Sequence, residues 1–449
     1  MKKTILSMLV GLTCALSSNS SHAEDLLQVY DIATANDPTV LRAKASADAQ
    51  KYAQDSALGE LLPSLGLTFS YADSDSTGAP AFQTDETGYQ LADSYRDSFT
   101  RTLTLNQTIF NMSVWESLSI AEKRAMQSLT QYEQEKQNLI VRIAEGYFNV
   151  LSQLDNLEFV QAEKRAIERQ LEQTKQRYEV GLTAITDVHE AQAQFDRSVA
   201  NEIVAQNDVE TARETLRTIT GKYHSKLNTL NTETFSTVKP NKEVGGFIDI
   251  AKEKNLALQV AQSALEIAQD QIDQAKAGHY PTLSLRATHE DSLVNSDGRE
   301  LAPRGDTTTI GLNLNIPIYS GGRTVAATDQ ARALYVAASE DLEASMRNVT
   351  RSVITSYNQV MSNVATYRAL EQAVVSAESA LQATEAGFEV GTRTIVDVLV
   401  STRNLYSAKR NLADLRYQYI NSTLQLKQAA GELSRADLEA INKGLQATR

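Results

Sequence analysis

The stretch Tyr178-Glu-Val-Gly-Leu-Thr-Ala-Ile-Thr-Asp-Val188 returns 210 residues later as Phe388-Glu-Val-Gly-Thr-Arg-Thr-Ile-Val-Asp-Val398, with six of eleven positions identical. The same offset aligns Tyr147 with Tyr357, Val150 with Val360 and Gly221 with Gly431, and an offset of 218 aligns Pro63-Ser-Leu65 with Pro281-Thr-Leu283. A spacing held over this length marks an internal duplication. The two repeats are 24–238 and 239–431, with a tail at 432–449. Each reads as helix, two strands, very long helix, glycine-containing turn, helix.

Proline placement sets the helix lengths. None occurs from Ala81 to Lys239 or from Ile318 to the end, and a proline inside a helix would break it. From Leu342 through Met346, Val349, Val353, Tyr357, Val360 and onward to Leu381, apolar residues advance by three or four. Eleven steps cover 39 residues, close to the 3.5-residue repeat of a supercoiled seam. The expected long helices, about 113–179 and 322–389, would each extend about 100 Å. Ser113-x-x-Glu116 reads as a capping box for the first. Helices of about 187–222 and 396–431 should follow the turns. Those at about 38–62 and 256–279 should precede the strands, and each such pair stacked end to end nearly matches a long helix.

The strand pairs are expected within about 64–110 and 282–319. Leu65, Leu67, Phe69 and Tyr71 alternate with Gly66, Thr68, Ser70 and Ala72, and Leu103, Leu105 and Ile109 sit against Thr102, Thr104 and Asn106. In the second repeat, Leu283, Leu285 and Ala287 face Ile310, Leu312, Leu314, Ile316 and Ile318 in the same two-residue period. About ten residues of such alternation fit a tilted strand crossing a bilayer. Four strands cannot close a barrel, since membrane barrels need at least about eight and an open edge leaves backbone groups unpaired in hydrocarbon. Closure must come from other copies of the chain. The acidic stretch Asp73–Asp97, with Asp75, Asp85, Glu86 and Asp93, reads as a solvated loop between strands.

Composition removes other classes. With 43 Lys+Arg against 56 Asp+Glu and a net charge of −13, the chain lacks the clustered basic surface that nucleic acid requires. One cysteine rules out an intrachain disulfide scaffold. Residues 1–23 read as an export signal, with Lys2 and Lys3 before an apolar stretch from Ile5 to Leu16 and a Ser21-His22-Ala23 cleavage site. Beyond it no window is apolar for the roughly 20 residues of a membrane-spanning helix. His189, His224, His279 and His289 show no metal-ligand spacing, and no phosphate-binding loop or nucleophile elbow is present. The expectation is no enzyme, no cofactor and no metal.

Signal, duplication, paired strands, long helices and the twin Glu-Val-Gly…Ile-x-Asp-Val turns together resemble the outer-membrane channel-tunnel family of efflux and type I secretion systems. The resemblance covers essentially the whole exported chain. It implies a mixed, mostly α fold: a homotrimer whose twelve strands, four per chain, form a β-barrel in outer-membrane lipid, continued by a twelve-helix α-barrel across the periplasm. It implies an exit duct for multidrug efflux and protein secretion. Its periplasmic tip would open when a periplasmic adaptor (membrane fusion) protein and an inner-membrane efflux pump or ABC transporter dock.

The same resemblance assigns a periplasmic gate to Thr186, Asp187, Phe388, Arg393 and Asp397, with Arg393 pairing to Thr186 and to Asp187 of a neighbouring chain. It assigns adaptor-docking tips to Val180, Gly181, Leu182, Val390, Gly391 and Thr392. Two positions depart from the family pattern. Phe388 stands where the best-known members have a tyrosine whose hydroxyl ties the inner hairpin to the outer, and Val400 stands where they have a second aspartate. Read without the family, Thr394-x-x-Asp397 is a helix-start signature; both roles for Asp397 stay open. The rival function is a structural or adhesive outer-membrane stalk built as a solid coiled coil. The Ala, Gln, Ser and Asn between the seam positions favour a hollow duct, whose transported substrates the sequence does not encode.

Overall fold

A computed structural model describes residues 23–81, 90–296, 299–300 and 305–446. The export-signal residues 1–22 and the acidic Asp85 and Glu86 lie outside the described residues. In chain order the elements are α1 (Leu26–Asn36), α2 (Pro38–Gly59), β1 (Ser64–Ala81), β2 (Gln90–Phe110), α3 (Met112–Glu179), α4 (Ile185–Thr220), β3 (Thr229–Leu230), α5 (Val244–Lys254), α6 (Leu256–Lys276), a 3-10 turn (Ala277–His279), β4 (Thr282–Ser296), β5 (Arg299–Glu300), β6 (Gly305–Asn315), α7 (Arg323–Glu389), α8 (Ile395–Ala430), α9 (Arg435–Asn442) and β7 (Leu445–Gln446). The chain is mostly helical, as its family resemblance implies.

The long helices α3 and α7 have 68 and 67 residues, about 100 Å each at 1.5 Å per residue. Asn111, not Ser113, caps α3. Its side-chain oxygen accepts from Ser113 N at 3.2 Å and its carbonyl from Trp115 N at 3.2 Å, so the helix starts one residue before the serine and Ser113 falls inside its first turn. Asn is as good a cap as Ser, and here it is the residue that follows the strand directly.

Residue contacts divide the chain into two compact units. One takes in Lys44–Gln131 and Leu258–Ser345 and holds an antiparallel sheet whose long strands run in the order β1-β2-β4-β6, with β5 also beside β4. Register places Leu65 opposite Leu105, Leu105 opposite Ala287 and Ala287 opposite Ile310. One face therefore gathers leucines, Phe69, Tyr71 and Ile310, many more than half exposed. The other face carries Thr68 opposite Thr102 and Thr288 opposite Thr309. Within the apolar face Arg101 pairs with Asp291 at 3.8 Å and lies over the Phe99 ring. Exposed aromatics fall in two bands: Phe110, Trp115, Tyr280 and Tyr319 near the helices, and Phe69, Tyr71, Tyr95 and Phe99 farther along β1 and β2. That distribution matches the interfacial girdles of membrane barrels.

The strands run farther than their composition suggests. Asp73, Asp75, Asp93 and Asp97 belong to β1 and β2, not to a loop. Asp73 and Asp97 stand directly opposite, a repulsive arrangement, but Tyr95 donates to Asp73 at 3.0 Å and Asn295 to Asp97 at 3.0 Å. Local hydrogen bonds thus let acidic residues stay in register.

The other unit takes in the described residues up to Ala43, Tyr132–Ala257 and those from Met346 onward. Its main core joins Leu26, Val29, Ile143, Tyr147, Phe148, Leu216, Leu424 and Leu438. Phe148 stacks on Tyr417 at 5.8 Å, and the Tyr147 hydroxyl donates to Asn228 O at 2.7 Å, so that the buried phenol is satisfied. Among the described residues no helix is long and apolar enough to cross a membrane, and no group of three metal-ligating side chains forms.

Candidate functional site

The duplicated stretches form two turns of the same geometry, α3 to α4 and α7 to α8. At the first, Leu182 N donates to Arg177 O at 2.8 Å and Gly181 N to Tyr178 O at 2.9 Å; at the second, Thr392 N donates to Gly387 O at 2.8 Å and Gly391 N to Phe388 O at 3.2 Å. This pair of bonds is the Schellman closure of a helix, which requires a left-handed residue at its centre. Gly181 and Gly391 supply it, with φ of +76° and +78°. The closure turns the flanking side chains outward. Val180, Leu182 and Val390 are each about two thirds exposed or more, an unusual cost for apolar side chains on a turn.

Behind the turns a second apolar core closes the four helix ends together. Ile167 and Leu171 of α3, Ala191 of α4, Phe388 of α7 and Ile395, Val398 and Leu399 of α8 pack as one cluster, with Phe195 and Leu381 against it. Phe388 is buried, and the Arg177 guanidinium lies 4.7 Å from its ring centroid. Farther along α3 and α8, Gln170 Nε2 donates to Thr402 Oγ1 at 3.0 Å and Arg410 Nη1 to Glu163 Oε2 at 2.7 Å. The α3–α4 and α7–α8 hairpins are therefore joined within one chain by an apolar cluster, a cation on a ring and a ladder of polar bonds.

The polar groups at the turns divide by hairpin. On α8, Thr394 and Asp397 form a reciprocal capping box: Thr394 N and Oγ1 each donate to Asp397 Oδ2 at 2.9 Å, and Asp397 N donates to Thr394 Oγ1 at 3.3 Å. The backbone bond from Thr394, then its hydroxyl bond, and the nearby Arg393 charge hold the Asp397 carboxyl below its ordinary range. On α4 the N-cap is Ala184, which offers no side-chain bond, and Asp187 instead accepts from the Thr183 hydroxyl. Thr186 is exposed. Arg393 packs its stem on Gly387, whose absent Cβ would stand 2.8 Å from Arg393 Cγ. Val400 borders a cavity of about 50 Å³ lined by Glu163, Glu190, Arg197 and Arg403.

The gate and tip residues assigned from the sequence all lie at these two turns or in the first or last turn of the adjoining helices, and Val400 stands one turn farther along α8. Arg177, Gly387, Glu163 and Arg410 were not among them. The position 210 residues after Arg177 is Gly387, so a mismatch just before the matching stretch was the available signal for that pair. Glu163 and Arg410 carry none.

The outer membrane efflux protein family matches residues 29–222 and 247–432. The chain is 43% identical to outer membrane protein TolC of Vibrio cholerae serotype O1 across 100% of both chains, and 29% identical to the alkaline protease secretion protein AprF of Pseudomonas aeruginosa across 98% of this chain and 91% of that one. Among solved structures, CusC superposes with a TM-score of 0.77 at 17% identity, covering 91% of this chain and 92% of its own. The MtrE channel of Neisseria gonorrhoeae in its open state superposes at 0.73 and 18% identity, covering 92% and 90%. The fold is thus that of outer-membrane channels.

Proposed function

The chain belongs to the outer membrane efflux protein family, and from that premise we propose that it forms a homotrimeric duct across the outer membrane and periplasm, gated at its paired helical turns. It is an outer-membrane protein that exports cargo for efflux and type I secretion, working with secretion or efflux partners. The observation that carries the trimeric reading is the open sheet. β1 and β6 are its two edges and have no further strand beside them among the described residues, while the face they share is apolar and exposed. Such edges are intolerable in lipid, and three copies of four strands give a closed twelve-stranded barrel.

The turns are the second part of the proposal. Val180-Gly181-Leu182 and Val390-Gly391-Thr392 offer exposed apolar knobs on rigid Schellman closures, suited to an adaptor whose helices present matching grooves. Thr186, Asp187, Phe388, Arg393 and Asp397 stand immediately behind them, where docking would be felt first. Inner-membrane pumps or ABC transporters supply the energy; the duct itself carries out no catalytic step.

Purified protein tests this reading. Sedimentation in mild detergent is expected to give a trimer, and planar bilayers discrete conductance steps. A monodisperse monomer that leaves bilayers silent would refute it.

A further inference from the structure

We infer that Arg177 ties the two hairpins of one chain together by resting its guanidinium on the face of Phe388, and that this contact sets the balance between the closed and open duct. The inference rests on the gated-duct reading. Arg177 lies in the last turn of α3 and its carbonyl accepts Leu182 N at 2.8 Å, so its backbone is fixed by the same closure that shapes the tip. Its guanidinium carbon stands 4.7 Å from the Phe388 centroid, within the range where a ring quadrupole attracts a cation. Its Nε is enclosed and has no hydrogen-bond partner among the described residues. Phe388 is only 8% exposed, held by Ile167, Leu171, Ala191 and α8. A half-buried cation over a fixed, buried ring gains more from this contact than a fully exposed one would.

The duplication makes the tie directional. Where α3 has Arg177, α7 has Gly387, and where α3 has Tyr178, α7 has Phe388. Only the α3 end supplies a cation and only α7 supplies the buried ring beneath it. A phenylalanine has no hydroxyl to bond across the hairpins, and the ring face does that work instead. Separating the hairpins would expose the ring and strip the guanidinium of its contact in the same movement. Arg177 is a positioning residue in this account, acting on the gate through Phe388.

Simple apolar packing would also hold Phe388 in place, and ring electronics distinguish the two. The experiment replaces Phe388 with mono-, di- and trifluorophenylalanine in the full-length protein, which cancels the quadrupole in steps while keeping ring size nearly constant, and reads resting open probability in planar bilayers. Open probability is expected to rise stepwise, by roughly tenfold across the series. In an Arg177→Gln background it should start high and stay flat. Phe388→Leu, which keeps an apolar side chain in the cluster, should resemble Arg177→Gln in conductance with trimer yield unchanged. A flat fluorination series in the otherwise native protein, or an equal slope in the Arg177→Gln background, would overturn the tie while leaving the duct intact. A silent native protein would overturn both readings.

Discussion

Gly387 and Arg393 fit against each other across the α7–α8 turn. The Gly387 carbonyl accepts Thr392 N at 2.8 Å, Arg393 N at 3.2 Å and the Thr392 hydroxyl at 3.1 Å, and the room left by its missing Cβ is taken by the Arg393 stem. Gly387 lies in a helix and has no positive φ, so close approach is the reason for glycine here. A methyl group would meet Arg393 Cγ at 2.8 Å, closer than Cβ atoms come to other heavy atoms, and Thr392 Oγ1 at a tight 3.2 Å, so the Arg393 stem has to shift.

The first prediction is that Gly387→Ala swings Arg393 out of place and raises resting conductance in bilayers, as Arg393→Ser should. Because both act on one contact, the double variant is expected to match Arg393→Ser alone. Additive effects would show that Gly387 acts by another route.

A second prediction concerns stability. Glu163 is buried and receives Arg410 at 2.7 Å. Removing the arginine strands a charge in a poorly solvated site, a loss of 3–5 kcal/mol for fully buried pairs; with Arg410 itself a quarter exposed, Arg410→Gln should cost about 2 kcal/mol. Glu163→Gln combined with Arg410→Gln should recover most of it. Thermal denaturation of the detergent-solubilised protein measures both. A double variant no better than Arg410→Gln would mean that the arginine stem, not the charge, matters.

A third prediction gives a pH dependence. Asp37 joins α1 to α2, with Pro38 at the first helical position, where proline is favoured. Burial alone would raise its carboxyl, but bonds from the Thr39 hydroxyl, Val40 N and Arg142 outweigh burial and hold it below the ordinary 3.8. A native pKa below the unfolded one adds stability that is complete above the unfolded value and is lost as pH falls through the native value. Asp37→Asn keeps the cap acceptor but loses the charge that Arg142 pairs with at 3.0 Å, and should cost about 1 kcal/mol near neutrality. The gap in melting temperature between variant and native protein should narrow as pH drops below 3.8. A gap that stays constant down to strongly acidic pH would assign the loss to packing.

The features legible in the sequence are those with a local period. Strand faces, the unbroken α3 and α7 and the twin turns each announce themselves through spacing, proline placement or repetition. The cap at Asn111 was missed because Ser113-x-x-Glu116 satisfied the same rule two residues later. The acidic parts of β1 and β2 were missed because their relief comes from Tyr95 and Asn295 across the sheet. Contacts such as Arg177 on Phe388 or Arg410 on Glu163 join residues more than two hundred positions apart. Such pairings follow from how helices pack, and no spacing along the chain encodes them.

The last prediction separates two roles for Asp397. Its bonds with Thr394 make it a helix-start acid, and they hold its carboxyl below the ordinary range. In the proposed trimer the same carboxylate occurs three times around one axis, and a ring of fixed negative charge binds multivalent cations. Val400 stands about one helical turn farther along α8 and brings no second ring, so block should depend on Asp397 more than where two acidic rings are stacked. Asp397→Asn keeps a side-chain acceptor at the helix start and removes the charge, whereas Asp397→Ala removes both. With a trivalent cation added on the periplasmic side of a planar bilayer, both variants are expected to lose most of the block seen in the native duct. Asp397→Asn should also lose less thermal stability than Asp397→Ala. Equal block in the native protein and Asp397→Asn would leave Asp397 only its capping role and place the entrance selectivity elsewhere.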